Sequence, residues 1–454
     1  MDFSGRTDII EQIEQCFLMQ GGRILVLYGE KGLGKTKLLL QLANRYESIY
    51  YHAVPASEFQ QAGLFLRRLG EPRRQPDAGA VYHTVFTALT EQYKQPKILF
   101  MIDEAEHILK AGEQFTSALR ILLNHGYSDT DFVVLLSCSS LSFVANSLGK
   151  RLGGCAAMIS GIHKLRALSF AQTCVYLEGR TVEENFLAYA LLGGNPHLLS
   201  AAQAYHTAKQ LICGLFLDRT GMLHDYGFAA LAGELREFGV YATILYTIAC
   251  GKGKLNEIHL ATGFSRAKIS VYLKNLMELD LIEKVYSYGA GPRDDSQKGL
   301  YRISYPAVDF WYRFLYADQS MLSNEDPEAF YDRMIAPNLP AFMERAYARV
   351  AAQALTEGRI FRPGHIVRCE EWYGKSGEIP VVAITQQGDA IPIFVYCETK
   401  PLGTQDTEWY AFSCKKARLS SKNMLIFTEG IHDGAVDDYA HVMPLFSLFS
   451  KKIG

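Results

Sequence analysis

Gly29-Glu30-Lys31-Gly32-Leu33-Gly34-Lys35-Thr36 matches the phosphate-binding loop pattern G-x-x-x-x-G-K-[ST] at every fixed position. The apolar run Ile24 to Tyr28 before it reads as a buried strand, and Lys37 to Ala43 after it reads as the opening of a helix. A phosphate cradle needs that setting. Glycines let backbone amides turn inward around a phosphate, and the helix start adds the positive end of its dipole. The pattern assigns Lys35 to the β- and γ-phosphate oxygens and Thr36 to a magnesium ion.

A second apolar strand, Ile98 to Ile102, ends in Asp103-Glu104. At the carboxyl end of a strand in an open α/β sheet, these acids border the ligand crevice and are expected beside the phosphate loop. Asp103 is assigned to magnesium through water, and Glu104 to orienting or deprotonating the attacking water. A third strand, Phe132 to Leu136, runs into Ser137-Cys138-Ser139-Ser140. Hydroxyls there, Ser139 among them, suit γ-phosphate sensing, although serines after a strand are also routine turn residues. Strands around Ile49–Ala53 and Met158–Ser160 complete an expected five-stranded parallel sheet of α/β class.

At 454 residues the chain exceeds one core, and its 48% hydrophobic and 21% charged content is that of a folded protein, not a disordered one. Formal net charge is −2, so nucleic-acid contact requires a local basic patch. Nine cysteines lie scattered without a C-x-x-C pair, which argues against a disulfide framework or zinc site and for a reducing compartment. No apolar run approaches the ~18 residues of a membrane span. Met1 to Arg6 shows no basic region followed by an apolar core. The expectation is a cytoplasmic protein with no membrane partner.

In the middle of the chain, Leu235–Ala249, Leu255–Ala261 and Arg266–Leu279 read as helices, with Thr262-Gly263-Phe264 as a turn and Ser265 as a cap. Ile282–Tyr288 and Leu300–Ser304 follow as two strands around a glycine-rich tip. Helix–turn–helix plus a two-stranded wing is the winged-helix pattern. From Arg236 to Arg302 there are ten basic against seven acidic side chains. A DNA-reading helix would use Arg266 or Lys268 on double-stranded DNA; the alternative is a structural arm or protein-contact surface.

Taken in order, these motifs resemble the prokaryotic STAND-class phosphate-loop ATPases, and in particular archaeal-type members with a winged helix and a nuclease-like C-terminal domain. The matching segments are Phe3-Ser4-Gly5-Arg6, the phosphate loop, Ile102-Asp103-Glu104, Ser137 to Ser140, Lys164 to Phe170, and Leu192-Gly193-Gly194-Asn195-Pro196. The resemblance implies ATP and Mg2+ as cofactors and places Phe3, Gly5 and Arg6 near the adenine. It also brings Asn195 and Pro196 toward the phosphates from a helical lid. One departure stands out: relatives carry a Gly-Arg pair where Ala156 to Ile162 has no arginine, and Arg151 lies several residues too early. Absence of a catalytic arginine costs about 10³–10⁵ in rate in related systems, so slow hydrolysis or a partner's arginine is expected.

The resemblance divides the chain into an ATPase core (1–165), helical lid (166–232), winged helix (233–305), aromatic connector (306–335) and a restriction-endonuclease-like PD-(D/E)XK domain (336–454). In the last domain, Glu344 matches the helix acid, and Glu398 with Lys400 matches the Glu-x-Lys pair of a second metal site. Pro380 stands where the metal-binding Asp belongs, and proline ligates nothing. Glu378, two residues earlier, is the substitute that strand alternation offers. A nucleotide-controlled switch with a degenerate nuclease fold is the leading reading. An ATP-gated DNA endonuclease and a DNA-binding regulator are the alternatives, and homo-oligomerisation stays open.

Overall fold

The computed structural model describes residues 7–231, 237–290, 299–375, 377–397, 402–429 and 440–449. The chain divides into two compact units, Met1–Ala167 and Leu168–Gly454.

In the first unit, β1 (Arg23–Tyr28), β2 (Ser48–His52), β3 (Lys97–Asp103), β4 (Asp131–Cys138) and β5 (Ile159–Lys164) form one parallel sheet in the order β2-β3-β4-β1-β5. The strands read as near-continuous apolar runs because both faces are covered. On one face Ile24 and Val26 pack with Phe65, Phe86 and Phe115; on the other Leu25 and Leu27 pack with Ile13, Leu38 and Leu39.

β4 lies between the acidic strand β3 and the loop strand β1. The chain leaves β1 through a helix, α1 (Lys35–Ala43), crosses two strands, and returns as β2 at the sheet edge. This crossover lays α1 against β2 and β3 and carries the helix start toward the tip of β3.

In the second unit, helices Phe238–Ala249, Leu255–Thr262 and Arg266–Glu278 precede an antiparallel pair, β6 (Ile282–Val285) and β7 (Leu300–Ile303). The aromatic stretch that follows is core. Helix Pro306–Phe314 buries Phe310, Trp311 and Tyr312 in one cluster with helices from both sides. Trp311 Nε1 donates to the His224 carbonyl at 2.6 Å. A Cβ on Gly227 would lie 1.9 Å from the Trp311 ring, so only glycine permits this approach.

Helix Leu339–Thr356 then covers a mixed sheet, β12-β11-β10-β9-β8, built from β8 (Ile366–Tyr373), β9 (Glu378–Thr385), β10 (Ala390–Tyr396), β11 (Met424–Thr428) and β12 (Ala440–Pro444). The β6–β7 pair is tied to this sheet. Tyr288 N donates to the Glu371 carbonyl at 2.6 Å, Tyr373 N to Ser287 Oγ at 3.0 Å, and the Tyr373 hydroxyl to the Val285 carbonyl at 3.0 Å. Arg302 pairs with the half-buried Glu371 carboxylate at the same seam.

Candidate nucleotide site

The site grows from the loop glycines. Gly32 and Gly34 have φ of 87° and 92°, a left-handed backbone that side chains with a Cβ disfavour. This turn delivers Lys35 and Thr36 to the first residues of α1. Lys35 is 5% exposed, and its Nζ donates to the carbonyls of Gly29 (2.7 Å) and Glu30 (3.0 Å). Burial pushes its ammonium pKa down, while Glu104, Asp103 and Glu106 hold it up.

Thr36 is exposed, and its Oγ1 donates to Asp103 Oδ2 at 2.6 Å. Asp103 is fully buried. Its Oδ2 also accepts from the Tyr50 hydroxyl at 3.1 Å, with His52 Nδ1 at 3.6 Å, and its Oδ1 accepts from Glu104 N at 3.1 Å. Burial, then Asp103, raises the Tyr50 pKa and keeps it a donor.

Glu104 has φ of 51°, a left-handed conformation costing a non-glycine residue about 1–3 kcal/mol. The bends on either side are pinned: Ala105 N donates to the Ser137 carbonyl at 2.8 Å, and Ser139 Oγ donates to Glu104 Oε1 at 2.7 Å. Glu106, 3% exposed, accepts from the backbone amides of Ser139 (3.0 Å) and Ser140 (2.9 Å) through one oxygen. Burial, then Glu106, pushes the Cys138 thiol well up.

Lys35, Thr36, Asp103, Glu104 and Ser139 therefore meet at the carboxyl ends of β1, β3 and β4. Hydroxyl and carboxylate oxygens are the hard donors magnesium takes, and loop amides with an ammonium suit a triphosphate. The donor set fits both groups.

The remaining expected residues belong to other segments of the chain. Phe3, Gly5, Arg6, Glu398 and Lys400 lie outside the described residues. Asn195 caps helix Pro196–Ala202 in the second unit, its Oδ1 accepting from His197 N at 3.1 Å, with Pro196 in the first turn. Glu344 and Glu378 are exposed on the last helix–sheet layer. Strand alternation does not carry across Pro380. Ile379, Val382 and Ile384 join one core and Val381 and Ala383 the other, with a register shift against β8 at this point. The two-residue spacing thus gives no shared face to Glu378 and Pro380. In the third helix, Arg266 donates to Asn256 Oδ1 at 2.6 Å, and Lys268 Nζ lies 3.9 Å from Glu237 over the Phe264 and Tyr272 rings.

Sequence reasoning missed Tyr50, His52 and Glu106. The first two had a signal: β2 pairs in parallel with β3, with His52 opposite Asp103, so both strand ends open on one crevice. Glu106 had none, because its partners are backbone amides of another strand.

Five parallel strands in this order, with the glycine loop between β1 and α1, make the first unit a phosphate-loop nucleoside triphosphatase fold. Residues 18–143 match the family model described as an AAA domain, and residues 311–409 match one described as archaeal and bacterial proteins of unknown function. An uncharacterised protein of Methanocaldococcus jannaschii is 22% identical over 415 residues, 89% of each chain. Among solved structures, the Walker-type ATPase of Pyrococcus abyssi aligns with TM-score 0.49 at 16% identity, over 68% of this chain and 96% of that one. The ORC2 protein of Aeropyrum pernix aligns with TM-score 0.45 at 14% identity, over 71% and 95%. Among the described residues, no helix is long and apolar enough to cross a membrane.

Proposed function

We propose that the protein binds ATP with Mg2+ and hydrolyses it slowly, as a switch whose nucleotide state is passed to the second unit. The observation that carries this reading is the meeting of Thr36 Oγ1 and Asp103 Oδ2 at 2.6 Å, with Lys35 and Glu104 adjoining them in sequence. Thr36, with Asp103 acting through water, would hold magnesium, which when bound would supply neutralising charge to the triphosphate. Lys35 would exchange its loop carbonyls for phosphate oxygens, and Glu104 would hold the attacking water and take up its proton.

In this reading residues 166–232 form a lid, 233–305 a winged helix and 336–454 a PD-(D/E)XK-like domain. Bonds between the β6–β7 seam and β8 support joint movement of the winged helix and the C-terminal layer. Lys35→Ala tests the site. Loss of ATP binding by calorimetry, with the fold retained, is expected; unchanged affinity would refute the assignment.

The alternative reading is an ATP-gated nuclease, which the resemblance assigns to Glu344, Glu398 and Lys400. Plasmid nicking with ATP and Mg2+ that disappears in Glu398→Ala would establish it.

A further inference from the structure

Helix Thr404–Ala417 turns one face to the second core, where Tyr410 stacks on Phe394 at 4.1 Å and Cys414 is fully buried. Its other face is unusual. Trp409 and Phe412 are 51% and 39% exposed, and their rings stack with centroids 5.6 Å apart at 24°. Lys416 Nζ lies 5.1 Å from the centre of the Phe412 ring. Lys415 and Lys416 in the last turn, and Arg418 and Lys422 just after it, are exposed; no carboxylate occurs from Trp409 to Asn423, and the exposed Glu408 lies one turn before Phe412.

Two exposed rings at one helix turn, followed by four exposed cations along the next ten residues, suit a ligand with flat apolar faces linked by anions. We infer that this helix face binds single-stranded nucleic acid. Trp409 and Phe412 offer faces on which unpaired bases stack, and the four cations hold the phosphates. Bases in a duplex are stacked on each other and present no free faces, so a single strand is the favoured form. A protein partner fits less well, because a docking surface for a folded protein gains nothing from four like charges around its aromatic centre unless that partner is strongly acidic. This surface lies apart from the helix that the sequence assigned to DNA, and the inference does not depend on the nucleotide site.

The test uses the full chain and fluorescence anisotropy with labelled single-stranded DNA, single-stranded RNA and duplex DNA of equal length. Binding should favour the single strands and weaken steeply with salt. Trp409→Ala and Phe412→Ala should each weaken it about tenfold or more, with Trp409→Phe restoring most of the loss. Arg418→Ala should lower the slope of log affinity against log salt by about one. Binding of a fluorescent ATP analogue should be unchanged in these variants, which separates this result from the ATP reading. Single-strand affinity unchanged by Trp409→Ala, a preference for duplex, or no binding at low salt would each overturn the inference.

Discussion

Thr36 Oγ1 lies 2.6 Å from Asp103 Oδ2 although β1, which leads into the Thr36 helix, and β3, which ends at Asp103, are not neighbours. A helix that crosses from β1 to the sheet edge brings the hydroxyl over β4 to the tip of β3. The geometry makes Asp103 a shared acceptor, with Tyr50 bonded to the same oxygen.

Asp103→Asn should retain ATP binding without metal and lose most magnesium-dependent turnover. Tyr50→Phe should leave Asp103 in place but less firmly oriented, raising the magnesium concentration for half-maximal turnover about tenfold. Magnesium titrations of turnover and of nucleotide affinity check both. An unchanged magnesium requirement in Asp103→Asn would remove the metal role.

Glu106 links the ends of β3 and β4 through the Ser139 and Ser140 amides. Glu106→Ala removes the acceptor of the buried Ser140 amide, at a cost of about 1–3 kcal/mol, and of the half-buried Ser139 amide at a smaller one. Turnover should fall more than ATP affinity, because Ser139 loses its register against Glu104. Glu106→Gln retains an acceptor oxygen and should recover much of the rate. Combined with Ser139→Ala, Glu106→Ala should cost less than the sum of the two, as expected for residues acting in one chain.

Trp311 anchors the second unit, fully buried against Phe228 with ring centroids 4.6 Å apart. Trp311→Ala should destabilise by about 3–5 kcal/mol in denaturant unfolding of that unit. ATP affinity of the first unit should be spared.

Asp309 is buried, 3.3 Å from Arg345; burial raises its pKa, with Arg345, Arg313, Arg349 and Arg302 opposing the rise. A carboxyl whose pKa is higher folded than unfolded contributes its stability below the unfolded value, near 3.9, and loses it as pH climbs through the folded value. The stability advantage of the natural protein over Asp309→Asn should therefore shrink between pH 4 and pH 7. Chemical denaturation at both pH values measures it, and an advantage that grows with pH would contradict the burial argument.

Much of the site was legible in the residues. Strand, glycine loop and helix are adjacent in the chain, so Gly29 to Thr36 carried their own geometry. Asp103 and Glu104 were readable because an apolar run ends on them. Tyr50 and His52 were readable only as residues of a further strand running toward the same crevice, and Glu106 was hidden, since its partners are backbone amides of another strand. The Pro380 region misled, because alternation holds only while the pleat is regular and the register shifts there.

By itself the sequence determined the local conformations: apolar strands, glycines where the backbone turns left-handed, and a cap such as Ser265. These follow from short-range sterics and hydrogen bonding, which neighbours along the chain supply. Tertiary structure alone decided that β4 lies between β3 and β1, that Glu106 holds the amides of Ser139 and Ser140, and that Trp409 and Phe412 stay at the surface. Such facts depend on the path of crossovers and the packing of distant segments, and no residue carries that information in its immediate neighbours.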